Sequence, residues 1–261
     1  MSRATATGFR RLLPPLLTLL LALATWDLAV RLLDLKPFLV PGPLRVGRAA
    51  SDHAADLSRA CLLTGGAALC GLAMSLLAGF AAALVFCQAR LIEVALYPYA
   101  VFLQTVPIVA IAPLIILWMG PGFAAVVAVS FILSLFPVLA NTTAGLTAVS
   151  SAHLDLFRLY RASRWQTLFR LRLPHALPHL VTGARISSGL SVIGAVVGEF
   201  SAGYGSDSHG LGYLIIFTSG QIKTDLLFAC VLSCTLLGWC LFSAVSWSGR
   251  RILAKAHLEP V

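Results

Sequence analysis

Between two long apolar runs, the stretch Ser151–Gly183 gathers Arg158, Arg161, Arg164, Arg170 and Arg172 against a single acid, Asp155. Guanidinium groups at that density engage carboxylates or phosphates, on another protein or on a lipid surface. His153, His175 and His179 share the stretch, but Asp155 is the one acid near them, so they read as surface or helix-end residues rather than an acid/base pair. Glu199 is the other isolated carboxylate, close to the end of an apolar run. An acid there either faces a path or gate through a membrane or is held at its edge by backbone donors. The six cysteines, Cys61, Cys70, Cys87, Cys230, Cys234 and Cys240, lie within or at the ends of apolar runs, with no CxxC pair and no His cluster. They read as small packing residues, and no metal is expected. The chain has no GxxxxGK[ST] phosphate loop, so it cannot cradle ATP in that way.

The elements that must position these groups follow from composition. With 261 residues, 59% hydrophobic and 11% charged, and a mean hydropathy of +0.90, the chain reads as an all-α integral membrane protein without room for a soluble catalytic domain. A span needs roughly 20 mostly apolar residues. Six such runs are expected, at about 12–33, 60–87, 94–119, 123–146, 180–200 and 226–248, in one transmembrane domain covering 1–261. The first has a basic start and Ala22-Leu23-Ala24, like a signal peptide, but its apolar pattern continues to about Leu33, too far for a signal core. Val40-Pro41-Gly42-Pro43 in the following connector is expected to be extended or turned, not helical. Gly71, Ser75, Gly79 and Ala83 place small residues on one face of the second run, and Gly194 and Gly198 do so on the fifth, as helices that approach closely require.

The charge-free stretch Val94–Leu154 is too long for one span, and Gly120-Pro121-Gly122 divides it. Pro107, Pro113 and Pro137 predict kinked helices on either side. The apolar centre Leu211–Thr218 is too short to span and reads as a re-entrant or interfacial piece. With both termini inside, all of the 19 basic residues except Arg31, Lys36, Arg45, Arg48, Arg59 and Lys223 fall on the inner side. This is the positive-inside bias, and it accounts for the net charge of +9 without nucleic acid.

On that topology Ser151–Gly183 faces the cytosol. Its spacing predicts a helix from Ser151 to Tyr160, with Leu154 and Phe157 on one side and Leu156 and Tyr160 on the other. Ser163-Arg164-Trp165-Gln166 has capping-box spacing and predicts a second helix that Pro174 and Pro178 end. The result is a basic hairpin over 151–178, which could also rest on anionic lipid.

At these residues the chain resembles the membrane permease subunits of ATP-binding-cassette importers, in the branch that handles nitrate, sulfonates, taurine and related organic solutes. The family's cytosolic signature runs Glu-Ala-Ala, three residues, Gly, nine residues, Ile, any residue, Leu-Pro. Leu171-x-Leu173-Pro174 matches its end, and Ala162-Ser163-Arg164-Trp165 matches a run common in the branch. Asp155 falls at the glutamate, Leu156 and Phe157 at the alanines, and Arg161 at the glycine. Elsewhere the similarity continues through Val40–Pro43, Gln104-Thr105-Val106-Pro107, Ala112-Pro113, Trp118-Met119-Gly120, Phe136-Pro137, Asn141-Thr142, Ala144-Gly145-Leu146, Val196-Val197-Gly198-Glu199-Phe200 and Gly210-Leu211-Gly212-Tyr213.

The resemblance implies a type I importer permease fold of six transmembrane helices with a cytosolic coupling helix, in a bacterial inner membrane. Asp155, Leu156, Phe157, Arg158, Arg161, Ala162, Ser163, Arg164, Trp165, Leu173 and Pro174 are then the residues that couple to an ATPase. Gln104, Thr105, Pro107 and Glu199 become candidates for the translocation path. It further implies two ATPase subunits that bind ATP-Mg, a second permease of the same or similar sequence, and a soluble binding protein that delivers the solute. No cofactor is expected on this chain. Leu156 and Phe157, bulkier than alanines, imply smaller side chains in the partner groove. Arg161 in place of glycine makes a left-handed turn costly, so a turn of different shape is expected there. The Val-Val-Gly-Glu-Phe run leans toward members that carry vitamin precursors, such as pyrimidines or riboflavin, over sulfonates. A secondary transporter or membrane scaffold independent of ATP would instead show paired ionisable residues at mid-membrane and matching halves. A membrane enzyme would show converging catalytic groups, and neither pattern is present in the sequence.

Overall fold

The computed structural model describes residues 3–88, 90–202 and 209–256. Its elements are helical: α1 (Arg3–Leu32), α2 (Pro43–Asp52), α3 (Ala54–Phe86), α4 (Arg90–Thr105), α5 (Ile108–Met119), α6 (Phe123–Thr147), α7 (Ser151–Leu159), α8 (Arg164–Thr167), a π-helical turn (Leu168–Arg172), α9 (Leu173–Ala202), α10 (Leu211–Gly220) and α11 (Thr224–Lys255). Five helical stretches are long and apolar enough to cross a bilayer, namely Leu13–Leu32, Ala54–Phe86, Phe123–Thr147, Arg164–Ala202 and Thr224–Lys255. The chain is a multi-pass all-α membrane protein.

The run expected to span at 94–119 is broken rather than kinked. Pro107 is extended (φ −60°, ψ 113°) and caps α5, while α4 ends at Thr105. A residue before proline is pushed out of the helical region, and the β-branched Val106 resists it further. Pro98 and Pro113 sit inside α4 and α5 without ending them. The turn at Gly120-Pro121-Gly122 forms as expected, with φ of +81° at Gly120 and +137° at Gly122, conformations that suit glycine alone.

The chain divides into two compact units, the N-terminal stretch to Ser58 with Leu214–Leu232, and Arg59–Tyr213 with Ser233 onward. In the first, Trp26 of α1 stacks on Phe228 at 5.9 Å between ring centroids, and the Thr224 hydroxyl donates to the Phe38 carbonyl at 2.7 Å. The expectation that Val40–Pro43 excludes helix fails at its last residue, because Pro43 opens α2 behind the Gly42 cap. At the first helical position a missing N–H removes no hydrogen bond.

In the second unit α6 packs between α3 and α9. A Cβ on Gly71 of α3 would run into the Ser130 hydroxyl, and one on Gly79 would come within 2.9 Å of Val138 Cγ1. From the other side, a Cβ on Gly194 of α9 would lie 2.7 Å from Ser130 Cα, and one on Gly183 would lie 2.8 Å from the Pro137 carbonyl oxygen. Both small-residue faces expected from the spacing therefore meet the same helix. Serine hydroxyls stitch the three together: Ser75 donates to the Phe131 carbonyl, Ser130 to that of Ser191 and Ser187 to that of Ser134. Each of these three hydroxyls finds a carbonyl, which the lipid could not supply, whereas the buried Thr142 and Thr143 hydroxyls of α6 have no partner among the described residues.

Gly189 has nothing within 4 Å of where a Cβ would stand, whereas Gly194 has the α6 backbone. Gly194→Ala is expected to lower the thermal unfolding midpoint in detergent by the equivalent of about 1–3 kcal/mol. Gly189→Ala should leave it unchanged or raise it by up to about 1 kcal/mol. Equal effects would disprove close α6–α9 packing at Gly194.

Candidate functional site

The first arm of the 151–178 hairpin is α7. Leu154 and Phe157 are half-buried, and Leu156, Leu159 and Tyr160 point outward, 47%, 80% and 78% exposed. The outward set is spaced i, i+3, i+4, so it forms one apolar face with no cover from the described residues. Asp155 and Arg158, also outward, pair at 3.0 Å one turn apart. Both are solvated, so the pair adds little stability.

The arm ends in a Schellman turn: Arg161 N–H donates to the Arg158 carbonyl and Ala162 N–H to that of Phe157, each at 2.9 Å. The residue between takes the left-handed conformation, and it is Arg161, at φ +52°. The expectation of a differently shaped turn is therefore wrong. The two capping hydrogen bonds hold a conformation that costs a non-glycine residue about 1 kcal/mol.

The second arm begins with the capping box that the spacing predicts. The Ser163 hydroxyl accepts from Gln166 N–H at 3.2 Å, and Gln166 Oε1 accepts from Ser163 N–H at 2.7 Å. Trp165 is exposed and stacks on Phe169 at 6.0 Å between centroids. Pro174 and Pro178 do not end this arm, because helix continues from Arg164 to Ala202. A five-residue π turn, Leu168–Arg172, precedes Pro174, and there the hydrogen-bond register shifts to i−5, so the proline enters where the ladder is already altered. Leu168 is buried beside Phe86, Leu146 and Ala176, with Leu173 packed against that cluster. Arg172 Nη1 donates to the Cys87 carbonyl at 3.0 Å. The base of the hairpin is anchored while its tip is bare.

Glu199 lies apart from the hairpin. It is 7% exposed and accepts from the Thr64 hydroxyl at 2.8 Å and from Gly212 N–H at 2.7 Å. Thr64 Oγ1 in turn accepts from Leu211 N–H at 2.9 Å. Residues from α3 and α9 thus cap the first turn of α10, placing a carboxylate where a helix N-terminus favours one. A Cβ at Gly210 would run into the carboxylate itself, and one at Gly212 would strike the Val196 carbonyl. That is why two separated runs, Val196–Phe200 and Gly210–Tyr213, are both needed. Of the two readings of Glu199, the geometry matches the carboxylate held by backbone donors. The sequence held no signal that Thr64 was its partner.

Gln104, Thr105 and Pro107 gather at the α4–α5 break, all exposed, with the Thr105 hydroxyl turned back to the Phe102 carbonyl at 2.8 Å. Arg185, read from sequence only as an inner-side charge, lies within α9 with its Nε buried and without a hydrogen-bond partner among the described residues. It shares its face of α9 with the buried Val181, Ser188 and Val192, a quarter turn from the exposed Ile186 and Ile193 and opposite the glycines that meet α6.

Comparison with known proteins gives these features a context. A family model described as the binding-protein-dependent transport system inner membrane component matches residues 75–255. The formylaminopyrimidine transport permease protein of Halalkalibacterium halodurans is 33% identical over 234 residues, 89% of this chain and 92% of its own length. The riboflavin transport system permease protein of Chloroflexus aurantiacus is 34% identical over 222 residues, 84% of this chain and 81% of its own. A putative aliphatic sulfonates transport permease protein of Bacillus subtilis is 32% identical over 183 residues, 70% of this chain and 62% of its own.

Two substitutions test the site's local chemistry. Arg161→Gly should stabilise the protein by about 1 kcal/mol, and the β-branched Arg161→Val should destabilise it, read as opposite shifts in thermal unfolding. Thr64→Val keeps the shape but strips the hydroxyl, leaving Leu211 N–H and the Glu199 carboxylate short of a partner. It should cost about 1–3 kcal/mol and speed amide exchange at Leu211 and Gly212. Unchanged exchange there would show that the cap does not hold α10.

Proposed function

The chain belongs to the inner membrane components of binding-protein-dependent transport systems, the permease subunits of ATP-binding-cassette importers, and from that premise we propose how it works. The observation that carries the proposal is the hairpin, a rigidly anchored base with an uncovered apolar face of Leu156, Leu159 and Tyr160 beside Asp155 and Arg158. Such a face is read most simply as the surface that enters a groove of a separate ATPase. Asp155, Leu156, Phe157, Arg158, Arg161, Ala162, Ser163, Arg164 and Trp165 form the docking half, and Leu173 and Pro174 join it to α9.

In this reading the hairpin is cytosolic and both termini lie on the same side of a bacterial inner membrane. Two ATPase subunits bind ATP-Mg and close; the anchored hairpins of two permeases carry that movement into α9. The helical continuity from Arg164 through the π turn to Ala202 supports this, since helix runs without a break from Trp165 into α9. A soluble binding protein delivers the solute on the far side.

The path runs between the two permeases, along the uncovered side of α9 and past Gln104, Thr105 and Pro107. Glu199 supports the path from behind by fixing α10. The solute is a small organic molecule or anion. The coverage of the formylaminopyrimidine and riboflavin permeases favours a vitamin-precursor type over a sulfonate.

Asp155→Lys places a second cation beside Arg158 and should abolish ATP-driven uptake while leaving the helical content and membrane insertion intact. Uptake at the wild-type rate would overturn the docking assignment. Purification should yield this chain with an ATPase subunit, and Leu159→Glu should release it.

A further inference from the structure

We propose that the hairpin end of the second unit binds an anionic phospholipid, its phosphate held by Arg158, Arg164 and Arg172 and one acyl chain lying along Val94 and Pro98 in an adjoining groove. The first cavity, about 420 Å³, is lined by these three arginines with Thr167, Leu168 and Gln88 among its walls. The second, about 680 Å³, has a mixed lining, with Val94, Tyr97 and Pro98 on one side and Thr147 and Gln88 among its polar walls. Cys87, Gln88 and Arg172 line both, so the two spaces meet at Arg172.

The charge selects the head. Asp155 is paired with Arg158 in solvent, and neither Arg164 nor Arg172 has an acidic partner among the described residues. The hydrogen bond from Arg172 to the Cys87 carbonyl fixes its guanidinium at the junction. Planar guanidinium forks match phosphate oxygens, and three of them around one cavity favour a phosphate-type anion over a neutral head.

The groove selects the tail. Inorganic phosphate or a nucleotide would fill the arginine cavity but leave Val94 and Pro98, both exposed, facing water. An acyl chain covers them. Depth agrees, because Phe86 is the last residue of α3 and packs on the buried Leu168. The cavity therefore lies where the apolar helix ends, at the level of headgroup phosphates. The site shares Arg158 and Arg164 with the docking half of the hairpin but leaves its apolar face of Leu156, Leu159 and Tyr160 free, and lipid binding is measured on this chain without an ATPase.

Native mass spectrometry of the full chain, purified in detergent, tests this with dioleoyl phosphatidylglycerol, dioleoyl phosphatidylcholine and inorganic phosphate as probes. Phosphatidylglycerol should remain bound under detergent washing that strips phosphatidylcholine. Arg164→Gln, which disturbs no contact within the fold, should weaken phosphatidylglycerol about fivefold, the effect of roughly 1 kcal/mol per basic residue. Val94→Trp, which fills the groove, should weaken it as well and leave inorganic phosphate binding unchanged. Equal retention of the two lipids, or no change in Arg164→Gln, overturns the site. Retention insensitive to Val94→Trp but displaced by millimolar phosphate makes it a free-anion site and overturns the lipid assignment.

Discussion

Lipid tails are as apolar as leucine, so nothing but close fit, polar stitching and lipid entropy drives one spanning helix onto another. In the second unit that fit is concentrated on α6. Ser130 sits opposite Gly71 from α3 and Gly194 from α9, so one residue's surroundings fix the distance to two neighbours. The serine hydroxyls then set register, since Ser75, Ser130 and Ser187 each reach a particular carbonyl across a helix boundary. Sliding either neighbour by one turn would place side chains against backbone and strand hydroxyls in lipid. Everything attached to these helices inherits its position from this seam.

The hairpin depends on it through Leu168, Leu173 and Arg172, which lock the second arm to α3 and to the cluster containing Leu146 and Ala176. The first arm is left to local rules. Its helix is closed by two backbone hydrogen bonds around a left-handed Arg161, and its outward residues Leu156, Leu159 and Tyr160 have no cover from the described residues. That division suits the proposed docking role, with a free face at the tip and an anchored base continuous with α9. The proposed lipid occupies the crease between the two arms, where arginines stand over the end of an apolar helix.

Glu199 shows a different economy. A charged group inside a membrane protein invites a transport role, but here its oxygens are taken by Thr64 and by the first turn of α10. The chain uses the acid as a helix cap supplied from another helix, and Gly210 and Gly212 make room for it. Arg185 has no such arrangement, its Nε buried without a hydrogen-bond partner among the described residues.

Periodicity and composition alone fixed the helical class, the membrane, the small-residue faces, the Gly-Pro-Gly turn and the capping box at Ser163, because each depends on residues within a few positions of one another. The same local rules misled at proline. Pro107 breaks a helix, Pro43 begins one and Pro174 sits within one, and only the neighbouring register and packing distinguish the three. Tertiary structure also decided the shape at Arg161, where capping hydrogen bonds outweigh a backbone preference of about 1 kcal/mol, and the partners of Glu199, which lie 135 and 13 residues away in the chain. No short window of sequence contains both ends of such a contact, so the fold alone brings them together.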